Sequence, residues 1–299
     1  MTATQTPDYS AWTLCFAKGQ MHRDFLEGAP VASNQGMVPI PMIYSVIVAE
    51  SPGERRVFLV DTGFSGGESM TGRRFDDFET PDQVLAKIGL TPADIDAIIL
   101  THLHFDHAGN LAAFPDVPIY LQDREYRCWR DVVAAAAGGG GKARWPMSSM
   151  NPDDWPSIEH AVQSGRVRFV DGDEEIHPGL VLHLEADAHC FGCQWIELRT
   201  PEGPYVLAGD NVVTYANLER MWPPGYHQGN AWNLVDCYRR ILELVGDDAF
   251  HRISPGHDMS LFERVPSFVA GANPVAELRA GAGRSRLGGT DQQPTRGSR

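Results

Sequence analysis

Three histidines and one aspartate crowd the run Thr101-His102-Leu103-His104-Phe105-Asp106-His107-Ala108-Gly109. His102 and His104 are two apart. In an extended segment their rings point to one side and can clamp one ion. Asp106 and His107 come after the chain must turn, so they can face a second ion across the loop. Imidazole nitrogen with carboxylate oxygen and no thiolate suits zinc, or a similar divalent ion such as iron, manganese or cobalt. The competing reading is a polar surface loop rich in histidine. It is disfavoured, because four such groups beside a buried strand are costly without a ligand.

That strand is the apolar run Ala97 to Leu100. The cluster therefore sits where a strand ends and a loop begins, a usual place for a site in a layered α/β protein. Gly109 is expected to let the backbone turn tightly.

The pattern His102-x-His104-x-Asp106-His107 resembles the signature of the metallo-β-lactamase superfamily. The longer run from Thr101 to Gly109 is similar to its N-acyl-homoserine lactonase branch. The resemblance implies an α/β fold, a four-layer αββα sandwich with a two-metal hydrolytic centre at one edge and two zinc ions per chain. It also implies a further His, an Asp and a last His, in that order. They are found as His189 in Ala188-His189-Cys190-Phe191-Gly192-Cys193, Asp210 after Val206 to Gly209, and His257 in Ser254-Pro255-Gly256-His257-Asp258. By the resemblance, His102, His104 and His189 hold the first ion, Asp106, His107 and His257 the second, and Asp210 bridges them. Asp61, in Val60-Asp61-Thr62-Gly63, would orient the metal loop from behind by hydrogen bonds. The plainer reading of Asp61 is a turn former.

Two departures from the family pattern matter. Its usual Gly-His-x-x-Gly-His has Cys193 in place of the second His, which is not normally a ligand. The change creates Cys190-x-x-Cys193, readable as a redox pair or zinc site, though two buried cysteines are favoured. Homoserine lactonases also place a Tyr three positions after the bridging Asp, and here that position is Val213. Tyr215 is expected to take the role, against the competing reading of a packing tyrosine. Failing it, Tyr226 or His227 could reach the pocket.

The implied chemistry is hydrolysis. Two ions lower the pKa of a bridging water, one polarises the substrate carbonyl, and the leaving group is stabilised by the other ion or protonated by Asp106 or Tyr215. No Gly-x-Ser-x-Gly elbow competes. Candidate pocket residues are Met21, Phe64, Met70, Trp145, Met147, Trp155, Tyr215, Met221 and Trp222. An apolar, aromatic pocket suits a small ring or acyl chain. The substrate expected is a small cyclic ester, as for a quorum-quenching lactonase. A cyclic amide, a thioester or another ester on the same centre is the alternative; glyoxalase II-like, β-lactamase and phosphodiesterase activities share it. A mono-iron persulfide dioxygenase and a metal-stabilised sensor protein are more distant readings.

Composition narrows the partners. The 299 residues carry 25 basic and 39 acidic side chains, a net charge of −14. So acidic a chain is a poor nucleic-acid binder and a poor ligand for anionic membrane. No secretory signal is evident at the N-terminus, and no apolar run approaches the ~18 residues of a membrane span. Five cysteines, an odd number, favour a reduced, cytoplasmic protein. A homodimer is compatible with everything above.

The elements that must position the cluster are expected within one domain, residues 1–274. Strands are expected at Trp12 to Ala17, Met42 to Ala49 and Arg56 to Val60, with Gly19 to Pro41 as an irregular segment able to fold over a pocket. Asn233 to Val245 reads as an amphipathic helix. Four alanines and four glycines at Ala134 to Gly141 introduce an expected mobile insertion at 138–157, either a lid or a decorated loop. Residues 275–299 read as a disordered tail.

Overall fold

The structure, a computed structural model, describes residues 6–28, 36–66, 74–139, 141–246, 250–281 and 285. Fourteen strands are present among them: β1 (Asp8–His22), β2 (Met37–Ser51), β3 (Glu54–Val60), β4 (Gly63–Phe64), β5 (Ala97–Ile99), β6 (Ile119–Gln122), β7 (Val167–Val170), β8 (Glu174–His177), β9 (Leu180–Ala186), β10 (Gly192–Leu198), β11 (Tyr205–Gly209), β12 (Ile253–Pro255), β13 (Ser267–Ala270) and β14 (Asn273–Arg279). The helices are α1 (Arg23–Glu27), α2 (Pro81–Ala86), α3 (Phe105–Ala108), α4 (Asp123–Ala137), α5 (Trp155–Gln163), α6 (Tyr215–Arg220), α7 (Ala231–Val245) and α8 (Leu261–Arg264).

The strands form two sheets. The larger runs β13-β14-β1-β2-β3-β5-β6-β7 and the smaller β12-β11-β10-β9-β8. The larger sheet is antiparallel as far as β3, then parallel through β5, β6 and β7. Its alternating residues divide between two cores, as the period-two geometry of a strand requires. Trp12, Leu14, Val46, Val48, Leu59 and Ile98 face one core with Val84 and Leu85 of α2 and Trp129 of α4. Ala11, Ile47, Ala49, Phe58 and Ile99 face the other, with Leu182, Ile196 and Val206 of the smaller sheet. Leu234, Tyr238 and Ile241 of α7 bury their stripe in that same cluster. The layers are thus helix, sheet, sheet, helix: the αββα sandwich.

Sheet pairing explains where the sequence reading fell short. β1 and β2 form one long hairpin, registered from Asp8↔Glu50 to His22↔Met37, so both ends of the segment from Gly19 to Pro41 are strand, and α1 follows β1 directly. Pro39 and Pro41 are tolerated because β3 pairs with β2 only from Ser45 onward, leaving this stretch of β2 without a neighbour in β3. The expected tail begins too early at residue 275. Val275, Ala276 and Leu278 are buried in β14, which pairs with both β1 and β13. Beyond residue 281 all but Ser285 lies outside the described residues.

The expected insertion is also more built than a loop. Short 3₁₀ turns occupy Gly141–Ala143 and Pro146–Ser148, and α5 begins at Trp155. Ala143, Pro146, Ser149 and Met150 are buried.

Candidate metal centre

Every candidate ligand lies at or just past the C-terminal end of a strand, on one edge of the sandwich. β5 leads into His102 and His104. The single turn α3 presents Asp106 and His107. His189 lies in the β9–β10 connection, Asp210 follows β11, and His257 follows β12. Gly109 ends α3 at an ordinary φ of −78°, so its need is for space and not for a left-handed turn. A Cβ there would lie 2.3 Å from the Phe105 carbonyl oxygen. Gly256 has a similar reason, since a Cβ would stand 2.2 Å from Asp210 Oδ1.

The fold gathers all seven side chains into two adjoining groups: His102, His104, His189 and Asp210, then Asp106, His107 and His257. In the first, His104 Nδ1 is 3.2 Å from His189 Nε2, which is 3.4 Å from Asp210 Oδ2. In the second, His257 Nε2 is 3.4 Å from Asp106 Oδ2 and 3.3 Å from Asp210 Oδ1. His107 Nε2 is 3.3 Å from Asp210 Oδ1 and 3.8 Å from Asp106 Oδ2. Asp210 therefore turns one oxygen to each group. A tetrahedral ion with ligands at about 2.1 Å has edges of about 3.4 Å, so these spacings fit a metal.

Tautomers can be read from the outer contacts. His107 Nδ1 donates to Asp61 Oδ2 at 2.8 Å. Thr101 Oγ1 has one proton, and Asp61, with oxygens at 2.8 and 3.0 Å, takes it. The hydroxyl is then left to accept from His102 Nδ1 at 3.0 Å. His257 Nδ1 donates to the Pro41 carbonyl at 3.0 Å. In all three rings Nε2 is thus the nitrogen that would be offered inward to a metal. The buried His102 Nε2, His107 Nε2 and Asp210 Oδ1 find no protein hydrogen-bond partner, as metal-directed atoms would not. Asp61, at a positive φ of 64°, also accepts from the Thr101 backbone N–H at 2.7 Å. It stands directly behind the candidate ligands.

Electrostatics point the same way. Burial, with the charges of its histidine neighbours, holds His102 well below the usual imidazole range. Burial also lowers His189, to about 3, despite Asp210. For His257 burial works downward too, but Asp210 and Asp106 together outweigh it and lift the ring to about 10. His107 is raised well above its ordinary value by the same contest, with Asp61 as a third carboxylate. A pocket of buried carboxylates that holds protons this firmly is a pocket suited to cations.

Sequence reasoning missed two supports. Glu125, in the first turn of α4, is fully buried and accepts from Leu103 N (3.0 Å), Gly192 N (2.7 Å), Trp129 Nε1 (2.8 Å) and Cys190 Sγ (3.2 Å). It ties the His102–His104 segment to the His189 loop. Gln228 accepts from His104 Nε2 at 3.1 Å. A charged residue on the apolar stripe of α4 was the available signal for Glu125; Gln228 had none. Cys190 and Cys193 are buried free thiols.

Tyr215 does not reach the site. It is buried, and its hydroxyl donates to the Ile253 carbonyl at 2.7 Å, across α6 and β12. As the first residue of α6, Tyr215 points into the core between α6 and the smaller sheet. His227 is turned to the Pro224 carbonyl. Tyr226 instead lines the cavity over the cluster, its ring 6.3 Å from that of His104 and 6.4 Å from that of His189.

That cavity, of about 250 Å³, is walled by Met21, Phe25, Ile40, Met42, Phe75 and Val213, and its floor exposes Asp106, Asp210 and His257. Of the expected pocket residues only Met21 lines it; Met70 lies outside the described residues. Phe64 packs in an aromatic cluster with Phe16 and Phe75, and Trp155 stacks on Tyr126. Trp145, Met147, Met221 and Trp222 lie off the cavity, Trp145 being more than half exposed.

Comparison with known proteins follows this geometry. The profile of the family described as the metallo-beta-lactamase superfamily matches residues 40–257. An N-acyl homoserine lactonase of a Bacillus species is 30% identical over 164 residues, covering 54% of this chain and 56% of that protein. The chain thus spans about half the length of such curated relatives. A crystal structure of a quorum-quenching N-acyl homoserine lactone lactonase superposes with a TM-score of 0.61 at 22% identity, covering 86% of this chain and 95% of the other. A dizinc quorum-quenching lactonase in complex with a product superposes with a TM-score of 0.62 at 15% identity, over 91% of this chain and 94% of that one. At these identities the two likenesses show a shared fold.

Proposed function

The chain belongs to the metallo-β-lactamase superfamily, and we propose that it is a dinuclear metal-dependent hydrolase that opens a small cyclic ester. The observation that carries this is the pairing of the two ligand groups through Asp210, beneath an apolar cavity. His102, His104 and His189 would hold one ion, Asp106, His107 and His257 the other, with Asp210 between. Zinc suits this nitrogen and oxygen set, and one relative of the same fold is a dizinc enzyme. Such an ion pair supplies hydroxide from water near neutral pH and polarises a carbonyl.

The chain's own residues do the rest. Met21, Phe25, Ile40 and Met42 receive an apolar ring or acyl chain and keep water from it. Tyr226 offers a phenol to the substrate's carbonyl side, in the role expected of Tyr215. Asp106, on the cavity floor, is the carboxylate placed to take the proton shed by the attacking water and pass it to the leaving oxygen. Burial would raise it, but His107 and His257 hold it down, at about 2, so it waits as the anion. Curated relatives act on homoserine lactones, and a lactone is the substrate class we infer. A cyclic amide or thioester would use the same groups. The five free cysteines suit a reducing compartment such as the cytoplasm.

The test is a panel of lactones, cyclic amides, thioesters and phosphodiesters with the zinc-loaded protein, read by proton release. Lactone turnover that is lost on chelation is the expected result. Turnover of phosphodiesters alone would overturn the proposal. One iron per chain with persulfide oxidation would point to the dioxygenase reading.

A further inference from the structure

Gln228 sits where three separate parts of the site meet. Its side-chain nitrogen lies 2.9 Å from the Pro146 carbonyl and 2.8 Å from Ser149 Oγ. A carbonyl oxygen can only accept, so the amide NH₂ must be the end that faces Pro146. That fixes the other end: the oxygen Oε1 faces His104 Nε2 at 3.1 Å. An oxygen acceptor there requires His104 to carry its proton on Nε2. Its Nδ1 is then bare, and Nδ1 is the atom 3.2 Å from His189 Nε2. One orientation of one amide thus sets which nitrogen His104 offers inward.

The backbone of the same residue holds the neighbouring ligand loop. Gln228 N–H donates to the His189 carbonyl at 2.7 Å, and Asn230 N–H to the Asp187 carbonyl at 2.6 Å. The segment that receives the amide is joined to the cluster a second time, through Phe105 N–H to the Ser149 carbonyl at 2.9 Å. The Cys190 thiol lies 3.1 Å from Gln228 Oε1 and 3.2 Å from Glu125, and its one proton can go to either.

We propose that Gln228 is the positioning residue of the first ion site: it locks His104 in the Nε2–H tautomer and fastens the Pro146–Ser149 turn to that ring. The proposal rests on the two-ion reading above. Outer hydrogen bonds of this kind are typically worth about 10- to 100-fold in metal affinity.

The experiment compares wild type, Gln228→Leu and Gln228→Glu. Zinc stoichiometry and affinity are measured by chelator competition, and His104 by ¹⁵N-histidine NMR of the metal-free protein. In Gln228→Leu one ion of the two should bind about 10- to 100-fold more weakly while the other is unchanged. His104 should no longer sit in a single tautomer. Gln228→Glu keeps an acceptor opposite Nε2 but gives up the donor to Pro146, so it should restore the single tautomer and the affinity that depends on it, without fastening the turn. Wild-type affinity for both ions in Gln228→Leu, with His104 still an Nε2–H tautomer, would overturn the proposal. Should the Leu variant not fold, wild type against Glu still decides: an Nδ1–H His104 in metal-free wild type refutes it. Failure of the two-ion reading would show separately, as wild-type protein that binds fewer than two ions.

Discussion

Asp61 Oδ2 lies 2.8 Å from His107 Nδ1, and the same carboxylate takes the Thr101 hydroxyl and backbone N–H. One carboxylate therefore aims His107 directly and His102 through Thr101. Replacing Asp61 by Ala should weaken zinc at the Asp106–His107–His257 group by about 10- to 100-fold, measured by chelator competition. It also places Ala at a φ of 64°, which adds a loss of stability visible in the melting temperature. Asp61→Asn accepts that backbone more readily, so a smaller drop in melting temperature with a similar loss of affinity is the expected contrast.

Tyr226 and Tyr215 should separate cleanly. Tyr226→Phe removes the phenol over the cluster and should lower kcat by on the order of 100-fold with KM little changed. Tyr215→Phe leaves the Ile253 carbonyl without its partner, costing about 1–3 kcal/mol in denaturant unfolding. Its turnover should stay within a factor of two or so of wild type, since a buried core bond lies off the reaction path. A large loss of kcat in Tyr215→Phe would restore the sequence expectation.

Metal removal should cost stability as well as activity. Without ions, buried atoms such as His102 Nε2, His107 Nε2 and Asp210 Oδ1 are left without a hydrogen-bond partner. Calorimetry with and without chelator should show a lower melting temperature for the stripped protein, restored by zinc. At free zinc 100 times Kd each site adds about 2.7 kcal/mol. Equal melting temperatures would argue against resident ions.

Asp154 supplies a pH dependence away from the cluster. Burial pushes its carboxyl up to about 7, against the Asn151 hydrogen bond. Its folded pKa exceeds the unfolded value of about 3.9. The stability it contributes is therefore full below about pH 4 and is lost as pH rises through 7. Asp154→Asn should match wild type at pH 4 and be the more stable protein at pH 8, in paired urea titrations. An unchanged difference between the two pH values would refute this.

The sequence made this edge legible because the candidate ligands obey a short-range rule: a buried strand, then side chains fixed by the turn after it. Asp61 was readable for the same reason, at the end of β3. What lay beyond reach depends on contacts that no local pattern encodes. Gln228 meets His104 across 124 positions. The β1–β2 hairpin was obscured by Gly19, Pro39 and Pro41, residues that ordinarily break strands; the two prolines are accommodated here by the missing β3 neighbour. The early end at residue 274 came from a Gly- and Arg-rich stretch that begins only after β14. Tyr215 followed from counting along the chain, whereas α6 turns it into the core and the loop at Tyr226 comes round instead.

His257 is steadied by the main-chain oxygen of Pro41, and the cavity wall of Met21, Ile40 and Met42 belongs to that same hairpin. Exchanging side chains along the wall leaves the oxygen where it is. The hairpin can thus be re-lettered for a bulkier or slimmer guest while the imidazole keeps its aim. Adding or deleting one residue within β2 between Met37 and Pro41 would slide the oxygen along β1, so diversity in this wall should come as substitutions and not as changes of strand length.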